Sequence, residues 1–332
     1  MDPEPERENL FELIKKGNKS SALAMVGNAL IAAFKGIGAA MSGSGAMFAS
    51  SMHSLADSIN QGFVFAGSIL AEKKPTRQFP TGFGRVINIF CMIAVIVVSI
   101  MAYETIREGL HLVQHPAHSE GGFWLNLSAL VFNLAVDGAI LMKAMKEITK
   151  EARVETKGLG FILSSFKHVG RSAPATRLVF YEDLVAVTGA LLALVAVLIT
   201  SFTAFDALDG VVTMLIGLLM VGVAFKVGYD NMVGLIGVAA PRDVAEKVAM
   251  LILSDKDVTD INNIRITQEG RYYHVDAVIE LRKGLSLADA DNIKFRVQDK
   301  LISDPDITDV VIGIREDNGV RDWTPEVLNE FA

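Results

Sequence analysis

Six runs of apolar residues dominate the chain between Ser21 and Gly228, each long enough to cross a bilayer as a helix. In hydrocarbon every backbone polar group must be satisfied internally, so such runs can only be helices packed side by side. The expected spans are Ser21 to Met41, Gly45 to Leu70, Val86 to Leu110, Phe123 to Met145, Leu178 to Phe202 and Leu208 to Gly228. Hydrophobic residues make up 51% of the chain and mean hydropathy is +0.38, which fits a polytopic α-helical membrane protein. Small residues recur in the first, second and last runs (Gly36, Gly38, Gly62, Gly67, Gly217, Gly222), as close helix packing in lipid requires.

The net charge of -7 gives no electrostatic footing for nucleic acid. Cys91 is the single cysteine, so disulfide frameworks and thiolate clusters within one chain are excluded. The first nine residues are acidic and polar, unlike a signal or transit peptide, so no removable targeting segment is expected. Lysine and arginine gather in alternate connections: Lys15, Lys16 and Lys19, then Lys73, Lys74 and Arg77, then seven between Lys146 and Arg177. The other connections carry none, so both termini are expected on the cytoplasmic side of a cell inner (plasma) membrane.

The expected organisation is a cytoplasmic N-terminal segment at 1–19, a six-helix membrane domain at 20–237, a cytoplasmic domain at 238–317 and a tail at 318–332. Between the fourth and fifth spans, Leu159 to Leu163 reads as a short amphipathic helix along the membrane surface. After Gly237 the pattern becomes that of a soluble α+β domain. A helix is expected over Pro241 to Leu253, strands over Ile261 to Thr267 and Tyr272 to Leu281 around a turn at Glu269-Gly270, a helix over Leu287 to Ile302, and a strand over Val310 to Ile314. This αββαβ order predicts a small open sheet covered on one face. Some 80 residues make a marginal core, which favours a homodimer.

Few ionisable residues sit at membrane depth. His53 and Asp57 are four apart and share one helical face; so do Asn133 and Asp137. Glu182 and Asp183 lie near the cytoplasmic start of the fifth span, and Lys35 lies in the first. Burying an ionised carboxylate costs several kcal/mol unless it is compensated. The second, fourth and fifth spans hold no deep lysine or arginine, so a metal cation, or protons in its absence, must supply the missing charge. Imidazole with carboxylates suits zinc and other divalent metals.

The stretches His53-Ser54-Leu55-Ala56-Asp57-Ser58, Phe79-Pro80-Thr81-Gly82-Phe83-Gly84-Arg85, Glu182 to Gly189 and Leu235 to Pro241 resemble those of the cation diffusion facilitators. The branch containing zinc transporter 9 is the most similar. The resemblance implies a dimeric metal/proton antiporter with six spans and a cytoplasmic ferredoxin-like domain. It implies a four-ligand transport site, two ligands from the second span and two from the fifth, each pair four apart. His53 and Asp57 match the first pair and Asp183 the second member of the other, while its first member falls on Val179. Glu182 or Asp137 is expected to supply the fourth ligand. The family's regulatory histidines fall on Val278, Asp291 and Gly313, and the connection from Glu72 to Phe79 has no histidine, so no further metal site is expected.

The function expected is export of divalent metal, zinc first, in exchange for protons. A membrane metal receptor without turnover is the alternative, with manganese, iron(II) or cadmium as other cargoes. An enzyme is not expected: no H-E-x-x-H spacing occurs.

Overall fold

The computed structural model describes residues 10–42, 45–73, 75–115, 123–155, 157–203 and 207–324. The chain divides into two compact units, Met1–Met232 and Val233–Ala332. The acidic N-terminal stretch, most of the connections at 116–122 and 204–206, and the last eight residues lie outside the described residues.

The first unit is helical: α1 (Leu10–Lys16), α2 (Lys19–Ser42), α3 (Gly45–Ala71), α4 (Val86–Gln114), α5 (Phe123–Glu151), α6 (Gly160–His168), α7 (Pro174–Phe202) and α8 (Ala207–Ile236), whose end passes into the second unit. Asn18 starts α2, its side-chain oxygen accepting from the Ser21 N–H at 2.8 Å. Its amide donates to Thr176 Oγ1 at 2.6 Å, and its backbone N–H to Ser68 Oγ at 2.8 Å. Thr176 in turn donates to Glu151 at 2.9 Å, so one polar network ties the ends of α2, α3, α5 and α7. Within lipid such bonds hold helices together where the hydrophobic effect cannot. Ser51 and Ser58 of α3 likewise donate to the backbone carbonyls of Ala32 and Met25 on α2, at 2.7 and 2.8 Å.

Glycines let α4 and α8 meet backbone to backbone. A Cβ on Gly210 would fall 2.6 Å from the Val113 nitrogen and 2.7 Å from the Gly109 oxygen. One apolar cluster joins α3, α4, α7 and α8 around Val64, Cys91, Leu178 and Val227. Another joins α2, α5, α6 and α7 around Ala24, Ile140, Val179 and Phe180.

The six expected spans coincide with α2, α3, α4, α5, α7 and α8. Among the described residues four helices are long and apolar enough to cross a membrane: Lys19–Gly38, Val86–Gln114, Pro174–Thr200 and Ala207–Ile236. The helices α3 and α5 also have spanning length, 27 and 29 residues. The inner face of α3 carries Ser51, Ser54, Asp57, Ser58, Asn60 and Gln61, and that of α5 carries Asp137. The expected amphipathic segment is α6: Phe161 is buried against the bundle, while Leu159 and Leu163 are 75% and 78% exposed.

The second unit is α+β: β1 (Val238–Ala239), α9 (Arg242–Leu253), β2 (Val258–Glu269), β3 (Tyr272–Leu281), α10 (Leu287–Ile302) and β4 (Ile307–Glu316). The sheet has four strands in the order β1-β2-β3-β4, where three were expected; β1 has two residues, too few to show an alternation. It is mixed, with β3 and β4 parallel and the other pairs antiparallel. Gly270, at φ +62°, makes the tight β2–β3 turn. One face, with Val275, Ala277, Ile279, Val310 and Ile312, packs under α9 and α10. Ser286 caps α10, accepting from the Asp289 N–H at 3.1 Å.

Beyond β4, Asp322 and Trp323 contact the second unit. Asp260 is 4% exposed and accepts from the backbone N–H groups of Asp322 (2.5 Å) and Trp323 (3.5 Å). Trp323 packs against the core.

Candidate metal centre

Helices α2, α3, α5 and α7 surround a cavity of about 210 Å³, with α4 and α8 adding apolar wall. Asp57 of α3, Asp137 of α5, and Glu182 and Asp183 of α7 all line it, with Lys35 of α2. Each comes from an inward face. Asp57, Gln61 and Ser54 recur at three- and four-residue spacing along α3, as do Asn133 and Asp137 along α5. The sequence thus placed four carboxylates that the fold brings to one space. His53 stands on α3 one turn before Asp57, and its side chain lies outside the described residues.

The carboxylates are not equivalent. Asp183 is 6% exposed, and its Oδ2 is buried with no hydrogen-bond partner among the described residues. Asp137 is 9% exposed. Glu182, in contrast, is held on both oxygens: Oε1 accepts from the Asn60 amide at 3.3 Å, and Oε2 accepts from the Gln61 amide. Lys35 donates to Ser54 Oγ at 3.1 Å and lines the same cavity as Asp137 and Asp57. Val179, the position where the resemblance expects a ligand, is wholly buried in the α2–α5–α6–α7 cluster and does not line the cavity.

Among the described residues no three His, Cys, Asp or Glu side chains stand close enough to hold one ion. The acidic groups line a space wider than a single coordination sphere. Asn60 and Gln61 were missed as site residues. Their signal was present, three and four residues beyond Asp57 on the same face.

The comparisons with known proteins bear on what such a cavity belongs to. Residues 21–236 match the cation efflux transmembrane domain, and residues 240–316 match the cytoplasmic domain of cation efflux proteins. The chain belongs to the cation efflux family. Its members are transporters, not enzymes, and the matching cytoplasmic domain is a dimerisation domain.

Within the family, the chain is 30% identical to the Xenopus laevis "Proton-coupled zinc antiporter SLC30A9, mitochondrial" over 264 residues, 79% of this chain and 46% of that protein. The Homo sapiens protein of the same name is 28% identical over 258 residues, 77% of this chain and 44% of that one. Metal tolerance protein 3 of Oryza sativa subsp. japonica is 22% identical over 303 residues, 90% of this chain and 69% of its own. The match therefore spans less than half of the SLC30A9 proteins.

In the second unit, His274 stands on β3. It lies between two carboxylates, Nε2 at 3.1 Å from Glu269 and Nδ1 at 3.3 Å from Asp309. The register explains it, since β3 pairs His274 with Asp309 of β4 and with Thr267 of β2, two residues before Glu269.

Proposed function

We propose that this chain is a proton-coupled antiporter that exports divalent metal cations, with zinc as its principal cargo. The observation that carries the reading is the buried Oδ2 of Asp183, unpartnered among the described residues and facing a cavity it shares with Asp57, Asp137 and Glu182. A carboxylate in that position needs a cation or a proton, and exchanging one for the other is antiport. Family membership and the printed names of the SLC30A9 relatives support the cargo and the coupling.

In this reading α2, α3, α4, α5, α7 and α8 are the six spans. The polar faces of α3 and α5 are turned inward, toward the transport path. Metal enters from the cytoplasm onto ionised Asp57 and Asp183 and neutral His53, with Asp137 and Glu182 beside them. Protons taken up on the far side weaken the site and release the ion, and the protonated carrier returns. Rocking of helices about the cavity gives alternating access. The carrier works as a homodimer in the plasma membrane, with both termini cytoplasmic. The relatives named as mitochondrial make an organelle membrane the competing location.

Metal flux into sealed proteoliposomes with an imposed pH gradient tests this, with zinc, cadmium, manganese and iron(II) run separately. Gradient-dependent zinc flux, abolished in well-folded Asp57→Ala and Asp183→Ala proteins, is the expected result. Binding without flux for every metal would overturn the transporter and leave a metal receptor.

A further inference from the structure

We infer that α6 and the basic residues around it form a docking surface for anionic phospholipid at the membrane boundary. Lipid held there is independent of the cargo and the coupling proposed above. The length of α6, its exposed face and the charge beside it support this surface.

A helix of nine residues reaches only about 14 Å, less than half the thickness of a hydrocarbon core, so α6 cannot span. It is nonetheless fixed to a helix that can, α7. Phe161 is buried in the cluster that holds Val179 and Phe180 of α7, and Phe166 meets Phe180 edge-on with ring centroids 5.2 Å apart. Just after α6, the carbonyls of Gly170 and Ser172 accept from Arg177 of α7 at 2.9 and 3.0 Å. Held in this way, the segment turns Leu159, Ile162, Leu163 and Phe166 outward, at the three- and four-residue spacing of one helical stripe. Such a stripe on a short helix beside a span suits the boundary between headgroups and acyl chains.

Basic side chains frame the stripe. Lys157 precedes it and Lys167 follows one turn beyond Leu163, both exposed. Lys146 of α5 stands over the Phe161 ring, 5.4 Å from its centroid, and Lys150 lies one turn later. Two of the acids in this stretch are engaged elsewhere. Glu147 accepts from Ser20 of α2, and Glu151 accepts from the Ala173 N–H at 2.8 Å and from Thr176 at 2.9 Å. That leaves Glu155 against six lysines and arginines between Lys146 and Arg171. Exposed ammonium groups at the ends of an apolar stripe match a phospholipid of net negative headgroup: the lysines reach its phosphate while the stripe meets its acyl chains. Because Phe161 and Phe166 pack with Phe180, lipid held by α6 bears on the first turns of α7, ahead of Glu182 and Asp183.

Quenching by brominated acyl chains tests this on the full chain in vesicles of phosphatidylcholine mixed with phosphatidylglycerol. An environment-sensitive dye is attached at Leu163→Cys, with labelled wild type as the background, since Cys91 is wholly buried. Thermal unfolding checks that each variant is folded. Brominated chains should quench the dye whichever lipid carries them. Phosphatidylglycerol should be preferred about fivefold, the worth of one basic residue close to an anionic surface, and less so at high salt. Lys157→Gln with Lys167→Gln should bring the two lipids level while leaving the quenching in place. A dye that brominated chains do not reach would overturn the surface, and iodide quenching would then tell a stripe in water from one shielded by a second copy of the chain. Equal quenching by both lipids with the lysines in place would overturn the anionic assignment. A preference that survives in the lysine variant would overturn the part given to Lys157 and Lys167.

Discussion

Gln61 of α3 donates its side-chain amide to the carboxylate of Glu182 on α7, joining the helix that carries Asp57 to the one that carries Asp183. Gln61 is 3% exposed, so the bond forms away from bulk water, where an acceptor left unmade is costly. Gln61→Leu keeps the volume and removes the donor. Thermal unfolding in detergent should report a loss of about 1.5–3 kcal/mol, the usual worth of a hydrogen bond to a charged group. A melting temperature equal to wild type would mean that the two helices are held elsewhere.

The meeting of α4 and α8 leaves no room at Gly210. Its would-be Cβ contacts are backbone atoms of Val113 and Gly109, which cannot rotate aside. Gly210→Val should cost about 1–3 kcal/mol or more by overpacking. Gly222 on the same helix has nothing within 4 Å of its would-be Cβ, so Gly222→Ala should be neutral in the same thermal assay. Equal behaviour of the two variants would contradict the packing.

In the cytoplasmic unit, Arg296 of α10 clasps Asp255 with Nε–Oδ2 at 2.6 Å and Nη2–Oδ1 at 2.7 Å. The guanidinium hydrogen bonds hold the Asp255 carboxyl below its ordinary value. A carboxylate depressed by folding contributes stability above its unfolded pKa and loses it as pH falls through the folded one. The loss therefore falls below about pH 4. Hydrogen exchange of the β2 segment should rise on acidification in the wild type, and rise less in Arg296→Gln, whose clasp is absent from the start. Parallel pH curves for the two proteins would show that the clasp adds nothing.

Asp260 fixes the segment that follows β4. Asp260→Ala removes the acceptor of the Asp322 and Trp323 N–H groups and should destabilise the unit by about 1–3 kcal/mol. Faster proteolysis after β4, with a red shift in tryptophan emission, is the expected signature. Unchanged cleavage would place the anchor in Trp323 packing alone.

Much of this protein was legible before its structure. The apolar runs gave the helices, because lipid leaves a chain no other way to satisfy its backbone. The helix Leu287–Ile302 was bounded correctly by its amphipathic period, and the β2–β3 turn by its glycine. Asp57, Asp137, Glu182 and Asp183 stood out because charge at membrane depth is rare and expensive. The two-residue β1 and the ordered segment around Asp322 left no periodic trace.

What sequence could not decide was the division of labour among the acidic groups. Glu182 and Asp183 are adjacent, chemically alike and equally uncompensated when read along the chain. Only the packing of α3 against α7 gives one of them two amide partners, from residues 122 and 121 positions away, and leaves the other with an oxygen that has no partner among the described residues. Periodicity fixes which face of a helix a residue shares. Which face of another helix lies opposite is set by the close packing of the whole bundle, and so is the partner that each buried charge finds.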